Sequence, residues 1–110
     1  MQIKKCEKDG IIILGITGEV TIHTSTELRR VFEELYDRGI RKVVVDFKKV
    51  SHIDSSGLSV LIEMLQRFRQ NNGAIALANM ADKIKYIFEI AKIDMLLSVY
   101  NSQKDAIESL

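Results

Sequence analysis

The run Asp54-Ser55-Ser56-Gly57 places one carboxylate and two hydroxyls next to each other. Leu58, Leu61, Ile62, Leu65 and Phe68 follow at the three-to-four spacing of an amphipathic helix, so the run lies at a helix start. A helix start leaves backbone N–H groups unpaired and carries partial positive charge. Two chemistries suit it. Asp or Ser can cap the helix, as both are generally favoured there. Alternatively, a serine hydroxyl can accept a phosphate, whose added charge of about −1.5 to −2 the helix end stabilises. Asp54 would repel that phosphate somewhat. Residue types leave both readings open, and capping would suit Ser55 or Ser56.

Other reactive residues support less. His52 stands with Asp54 and Ser55, the residue types of a hydrolase triad, but triads assemble from separated segments and no Gly-x-Ser-x-Gly elbow is present. His52 reads as a loop residue at an interface, and His23 as a structural or surface residue. Two lone histidines and the single thiol of Cys6 do not make a metal site. Asp46 follows an apolar strand, as does the phosphoacceptor aspartate of response-regulator receivers. A receiver also wants an acidic pair to hold magnesium, and only Glu19 stands in the corresponding segment. Asp46 is expected to cap the end of its strand. The glycines form neither a dinucleotide fingerprint nor a Walker loop. No metal and no cofactor are expected, and the chain is expected not to be an enzyme.

The 110 residues, 46% apolar and 28% charged, suit one soluble domain spanning 1–110. Sixteen basic and fifteen acidic residues leave a net charge of +1, so neither nucleic acid nor a membrane surface is an expected partner. One cysteine fits a reducing cytosol. The first residues lack an apolar signal core, and no stretch approaches the roughly 20 apolar residues of a membrane span. A cytoplasmic protein, monomeric when alone, is expected.

The reactive residues need a frame. Asp9-Gly10 separates a short segment from Ile3 and the run Ile11–Thr17, which predicts a hairpin. Thr24 with Glu27 predicts a capping box, and Leu28, Val31, Phe32, Leu35 and Tyr36 form the helix face that follows, stopped at Gly39. Val43-Val44-Val45 reads as a buried strand, and Phe47 to Asp54 as the loop leading to the Asp-Ser-Ser-Gly helix. Asn71-Asn72-Gly73 ends that helix. A strand over 74–78, a helix over 83–91, a strand over 96–100 and a terminal helix started by Ser102 complete the chain. The order β-β-α-β-α-β-α-β-α predicts an α/β domain with a mixed, mostly parallel sheet of about five strands and about four helices. The methionines Met64, Met80 and Met95 read as core or semi-exposed packing, with Leu58 and Met80 as candidate exposed apolar residues near Ser55.

The segment Val43 to Leu61 resembles the core of a STAS domain, specifically the bacterial anti-sigma factor antagonists: an apolar strand, a connection, then Asp-Ser-Ser-Gly-Leu opening a helix. Gly18-Glu19-Val20 resembles that family's Gly-Glu-Leu/Val, and the likeness extends from about Gly10 to Leu110. It implies a protein that binds an anti-sigma factor with serine kinase activity and so frees a sigma factor for transcription. The kinase would phosphorylate the first serine, Ser55, and a phosphatase would reverse it. Asp54, Ser56 and Gly57 match the surrounding motif. Many such antagonists carry an Asp where Thr21 stands here, near the partner surface, so Thr21, His52 and Leu58 join the expected docking residues. A STAS domain serving as a scaffold or accessory module in another assembly, and a receiver using Asp46, are the competing functions.

Overall fold

Asp9 and Gly10 adopt left-handed φ angles of 54° and 81°. Those angles belong to a two-residue hairpin turn whose twist matches that of its strands. The turn joins β1 (Gln2–Lys8) to β2 (Ile11–Val20), with Lys8 opposite Ile11. β1 is an edge strand, exposed along almost its whole length and bearing Lys4, Lys5 and Lys8. Edge lysines discourage further strand pairing, and their presence explains why its apolar alternation is poor.

The computed structural model describes residues 1–93 and 96–110. After the hairpin come α1 (Ser25–Asp37), β3 (Lys42–Ile53), α2 (Ser55–Gln70), β4 (Ala74–Ala78), α3 (Asp82–Ile90), β5 (Ser98–Tyr100) and α4 (Gln103–Ser109). The five strands lie in sequence order, with β1–β2 antiparallel and the other three pairs parallel. This is the mixed sheet expected from the sequence. Each crossover steps the same way, and crossovers of one hand then place their helices on one face. Leu28, Phe32 and Leu35 of α1, Leu61, Leu65 and Phe68 of α2, and Ile84 and Phe88 of α3 accordingly share one core with Leu14, Val45 and Leu77. Phe68 meets the rings of Phe32 and Tyr36 edge-on, at 6.2 and 5.6 Å between centroids. α4 alone covers the opposite face, where Ala106 packs near Val44, Ala76 and Ala78.

Four expectations need correction. The segment expected as a loop from Phe47 to Asp54 is the second half of β3. Two register shifts against β2 insert extra residues, so Phe47, Val50 and Ile53 turn inward three apart. A three-residue period hides a strand from any search for alternation. The strand expected over 96–100 is a strand only at Ser98–Tyr100, with Leu96 and Leu97 in the turn before it, and Met95 lies outside the described residues. Thr24 precedes α1 but makes no side-chain cap to it. Its hydroxyl oxygen accepts from Thr21 N–H at 2.9 Å and donates to the Glu19 carbonyl at 2.9 Å, folding the β2–α1 turn instead. Leu58 and Met80 are buried, at 7% and 6% exposure, because each belongs to the main core.

Candidate functional site

Val20 and Ile53 are paired at the carboxyl ends of β2 and β3, and the Asp54 N–H donates to the Val20 carbonyl at 3.0 Å. This anchors the start of α2 to the end of β2. Gly57 permits the fit. A Cβ built there would lie 2.7 Å from both Ile53 Cγ1 and Val20 Cγ1, so the first turn of α2 rests on the strand ends only because position 57 has no side chain.

Asp54 is the cap of α2. Its Oδ1 accepts from Ser56 N–H at 2.9 Å and Gly57 N–H at 3.2 Å. Its Oδ2 accepts from Ile22 N–H at 3.0 Å, across the site in the β2–α1 turn. Burial by itself would raise the Asp54 pKa. The three N–H donors, with a smaller contribution from nearby His52, outweigh it and hold the carboxyl below its ordinary value.

Ser55 is the first residue of α2 and is exposed, whereas Ser56 is half-buried. Among the described residues the Ser55 N–H has no acceptor and its hydroxyl no partner, while its carbonyl accepts from Ser59 Oγ at 2.8 Å. No acidic residue occupies the first turn of α2, and Arg67 and Arg69 occupy the last, so the helix dipole is not opposed from within. Of the two serines, Ser55 is the more exposed to a second protein.

The β2–α1 turn forms the other wall. Thr21 Oγ1 accepts from His23 N–H at 3.2 Å, and the Thr21 carbonyl accepts from Thr24 and Ser25 N–H at 3.0 and 2.7 Å. An aspartate here could supply the same side-chain acceptor with a charge, and threonine supplies it without one. His52 is exposed beside Glu19, its partner in the ladder. Ile22, which sequence reasoning missed, presents an apolar side chain at 68% exposure from the turn whose N–H the Asp54 carboxylate holds. The available signal was an isoleucine in a polar turn, outside any helix or strand period. The structure therefore brings Thr21, His52, Asp54, Ser55, Ser56 and Gly57 to one end of the sheet and assigns Leu58 to the core beneath them.

Asp46 belongs elsewhere. It lies within β3, with Oδ1 accepting from Lys48 N–H at 2.9 Å and Asn79 Nδ2 at 3.3 Å, and Oδ2 accepting from Gln103 Nε2 at 2.6 Å. It closes the strand's first bulge and ties α4 to the sheet. Its side-chain partners are amides, where a receiver's magnesium pocket needs carboxylates. No helix among the described residues is long and apolar enough to cross a membrane.

The family model described as "STAS domain" matches residues 2–106. The chain is 27% identical over 99 residues to the anti-sigma-B factor antagonist of Staphylococcus aureus (strain NCTC 8325 / PS 47), covering 90% of this chain and 92% of that one. A crystal structure of a Thermotoga maritima protein superposes with a TM-score of 0.92 at 23% identity, covering 97% of this chain and 92% of the other. The anti-sigma factor antagonist SpoIIAA from Bacillus has been solved unphosphorylated and phosphorylated. The two forms match with TM-scores of 0.77 and 0.76 at 14% and 15% identity, each over 98% of this chain and over 96% and 98% of theirs. At such identities the structural matches establish the fold, a five-stranded mixed sheet with four helices. The family model spans nearly all of the sequence, and the chain belongs to the STAS domain family.

Proposed function

We propose that this protein is an anti-sigma factor antagonist whose docking surface is switched by phosphorylation of Ser55. The reading is carried by one observation: an exposed residue, Ser55, at the first position of α2, next in the chain to the Asp54 carboxylate that also holds the backbone of exposed Ile22. The Staphylococcus relative bears the name of such an antagonist, and SpoIIAA has a phosphorylated form. Unphosphorylated, the end of the sheet offers Ile22, Thr21, His52 and Ser55 to an anti-sigma factor with serine kinase activity, and binding frees a sigma factor. The protein is the kinase's substrate and contributes no catalytic group. Phosphate on Ser55 adds about −1.5 to −2 charge beside Asp54 without disturbing the packed side of α2. The complex then weakens through like-charge repulsion and the cost of burying that charge. A phosphatase restores the neutral hydroxyl.

Incubation with the cognate anti-sigma factor and ATP is expected to add one phosphate, on Ser55. Peptide mapping that places it on Ser56 or elsewhere, or undiminished phosphorylation of Ser55→Ala, would overturn the assignment. Ser55→Asp is expected to weaken the complex while the melting temperature stays close to that of the parent.

A further inference from the structure

The first bulge of β3 has a chemical result. The step from Gly15 to Thr17 on β2 is matched by Asp46 to Lys49 on β3, one residue more. In a regular strand successive side chains point to opposite faces; at a bulge they need not. Lys48 and Lys49 are both exposed, and both line a cavity of about 150 Å³ together with Lys4, Gly15, Ile16, Thr17 and Asp46.

Three lysines thus border one small cleft. The ion pairs among the described residues are Lys5–Glu34, Arg29–Glu63 and Arg67–Glu33, so none of these three lysines has a carboxylate within ion-pair distance. Asp46 is the acid in the lining, and its oxygens are already engaged by the Lys48 N–H, Asn79 and Gln103. The chain as a whole carries only +1, so this excess is local and not a reflection of general basicity. Gly15 leaves the floor bare: a Cβ there would find only the Lys4 carbonyl, at 4.0 Å. The volume equals about five waters, room for one tetrahedral anion with part of its hydration shell.

We propose that this cleft is a binding site for a small oxyanion of the phosphate class, held by Lys4, Lys48 and Lys49 with Thr17 as an additional hydroxyl donor. Charge-assisted hydrogen bonds from lysine ammonium groups to an oxyanion are the strong form of this contact. The site is separate from Ser55: three further ladder pairs lie between Thr17–Lys49 and the start of α2. Its occupancy is therefore independent of the reading given to Ser55.

Inorganic phosphate is the probe. Titration of the isotopically labelled protein, followed by amide chemical shifts, is expected to give saturable changes at Gly15, Thr17, Lys48 and Lys49. Sodium chloride at matched ionic strength is expected to leave them unmoved. Lys48→Gln/Lys49→Gln is expected to weaken phosphate binding at least about tenfold, as the loss of two charge-assisted contacts implies. Equal shifts with chloride, an unchanged affinity in a folded double variant, or a response confined to Ser55–Gly57 would each overturn the proposal. Should the double variant not fold, Lys4→Gln decides: a loss of about threefold or more supports the site, and an unchanged affinity refutes it.

Discussion

The Asp54 carboxylate accepts the backbone N–H of Ile22 at 3.0 Å, joining positions thirty-two residues apart, while its other oxygen caps α2. One side chain thus sets both the helix start that presents Ser55 and the turn that presents Ile22. Removing it should loosen both walls of the site. Asp54→Ala is expected to cost about 1–2 kcal/mol, the usual loss for a helix cap. Denaturant titration would measure it, and faster amide exchange at Ile22 and Ser56 would show that both contacts were lost. Unchanged exchange at Ile22 would show that the turn stands without Asp54.

The same carboxyl predicts an acid dependence. Its folded pKa lies below the ordinary value because its N–H donors, assisted by His52, outweigh the cost of burial. Between the folded and unfolded values the unfolded chain binds more protons, so stability rises with pH across that window. The Asp54 contribution is fully present above the unfolded value near 3.9 and is lost as pH falls through the lower folded value. The stability difference between the parent and Asp54→Asn should therefore shrink as the pH is taken through that acid window. A difference independent of pH would contradict the assignment.

Gly57→Ala tests the seat of α2 on the strand ends. Alanine gains about 1 kcal/mol over glycine in a helix interior. Here its Cβ would meet Ile53 and Val20 at 2.7 Å, next to the branch points of stiff side chains. Overpacking of that kind typically costs about 1–3 kcal/mol, so the net effect should be destabilising or at best neutral. A variant more stable than the parent in thermal melts would show that the contact relaxes freely.

Ser55→Ala should be silent in stability, within about 0.5 kcal/mol, because the exposed hydroxyl has no partner among the described residues. Ile22→Ala should likewise leave the melting point unmoved and weaken the proposed anti-sigma complex by roughly 1–2 kcal/mol, as truncation of an apolar interface anchor does. Calorimetric titration against the cognate partner reads both. An Ile22→Ala complex of undiminished affinity would remove Ile22 from the docking surface.

Asp46→Ala should release α4. It strips the acceptor from Asn79, Gln103 and the Lys48 N–H in a half-dry setting, an effect of about 1–3 kcal/mol. Hydrogen exchange should rise first in α4 and at Lys48. Uniform exchange across the molecule would point to a general loss of stability in place of this local one.

The order of elements was legible from local pattern. The Asp9-Gly10 turn, the three-to-four spacing of α1 and α2, and the Asp-Ser-Ser-Gly start of a helix are each written within a few consecutive residues. The STAS resemblance rests on the same local segments and named the family that the family model matches. What stayed hidden depends on partners distant in the chain. The second half of β3 is a strand only because β2 lies beside it while β3 itself takes up two bulges, and its three-residue period looks like a loop when read alone. Thr24 appeared to be a cap until the fold supplied the Glu19 carbonyl as a competing acceptor. Leu58 and Met80 looked available until the core closed over them, and Ile22 looked incidental until Asp54 fixed its backbone. Between Ser55 and Ser56, capping chemistry made no distinction. Exposure does: Ser55 is exposed and Ser56 half-buried, and only packing assigns that difference.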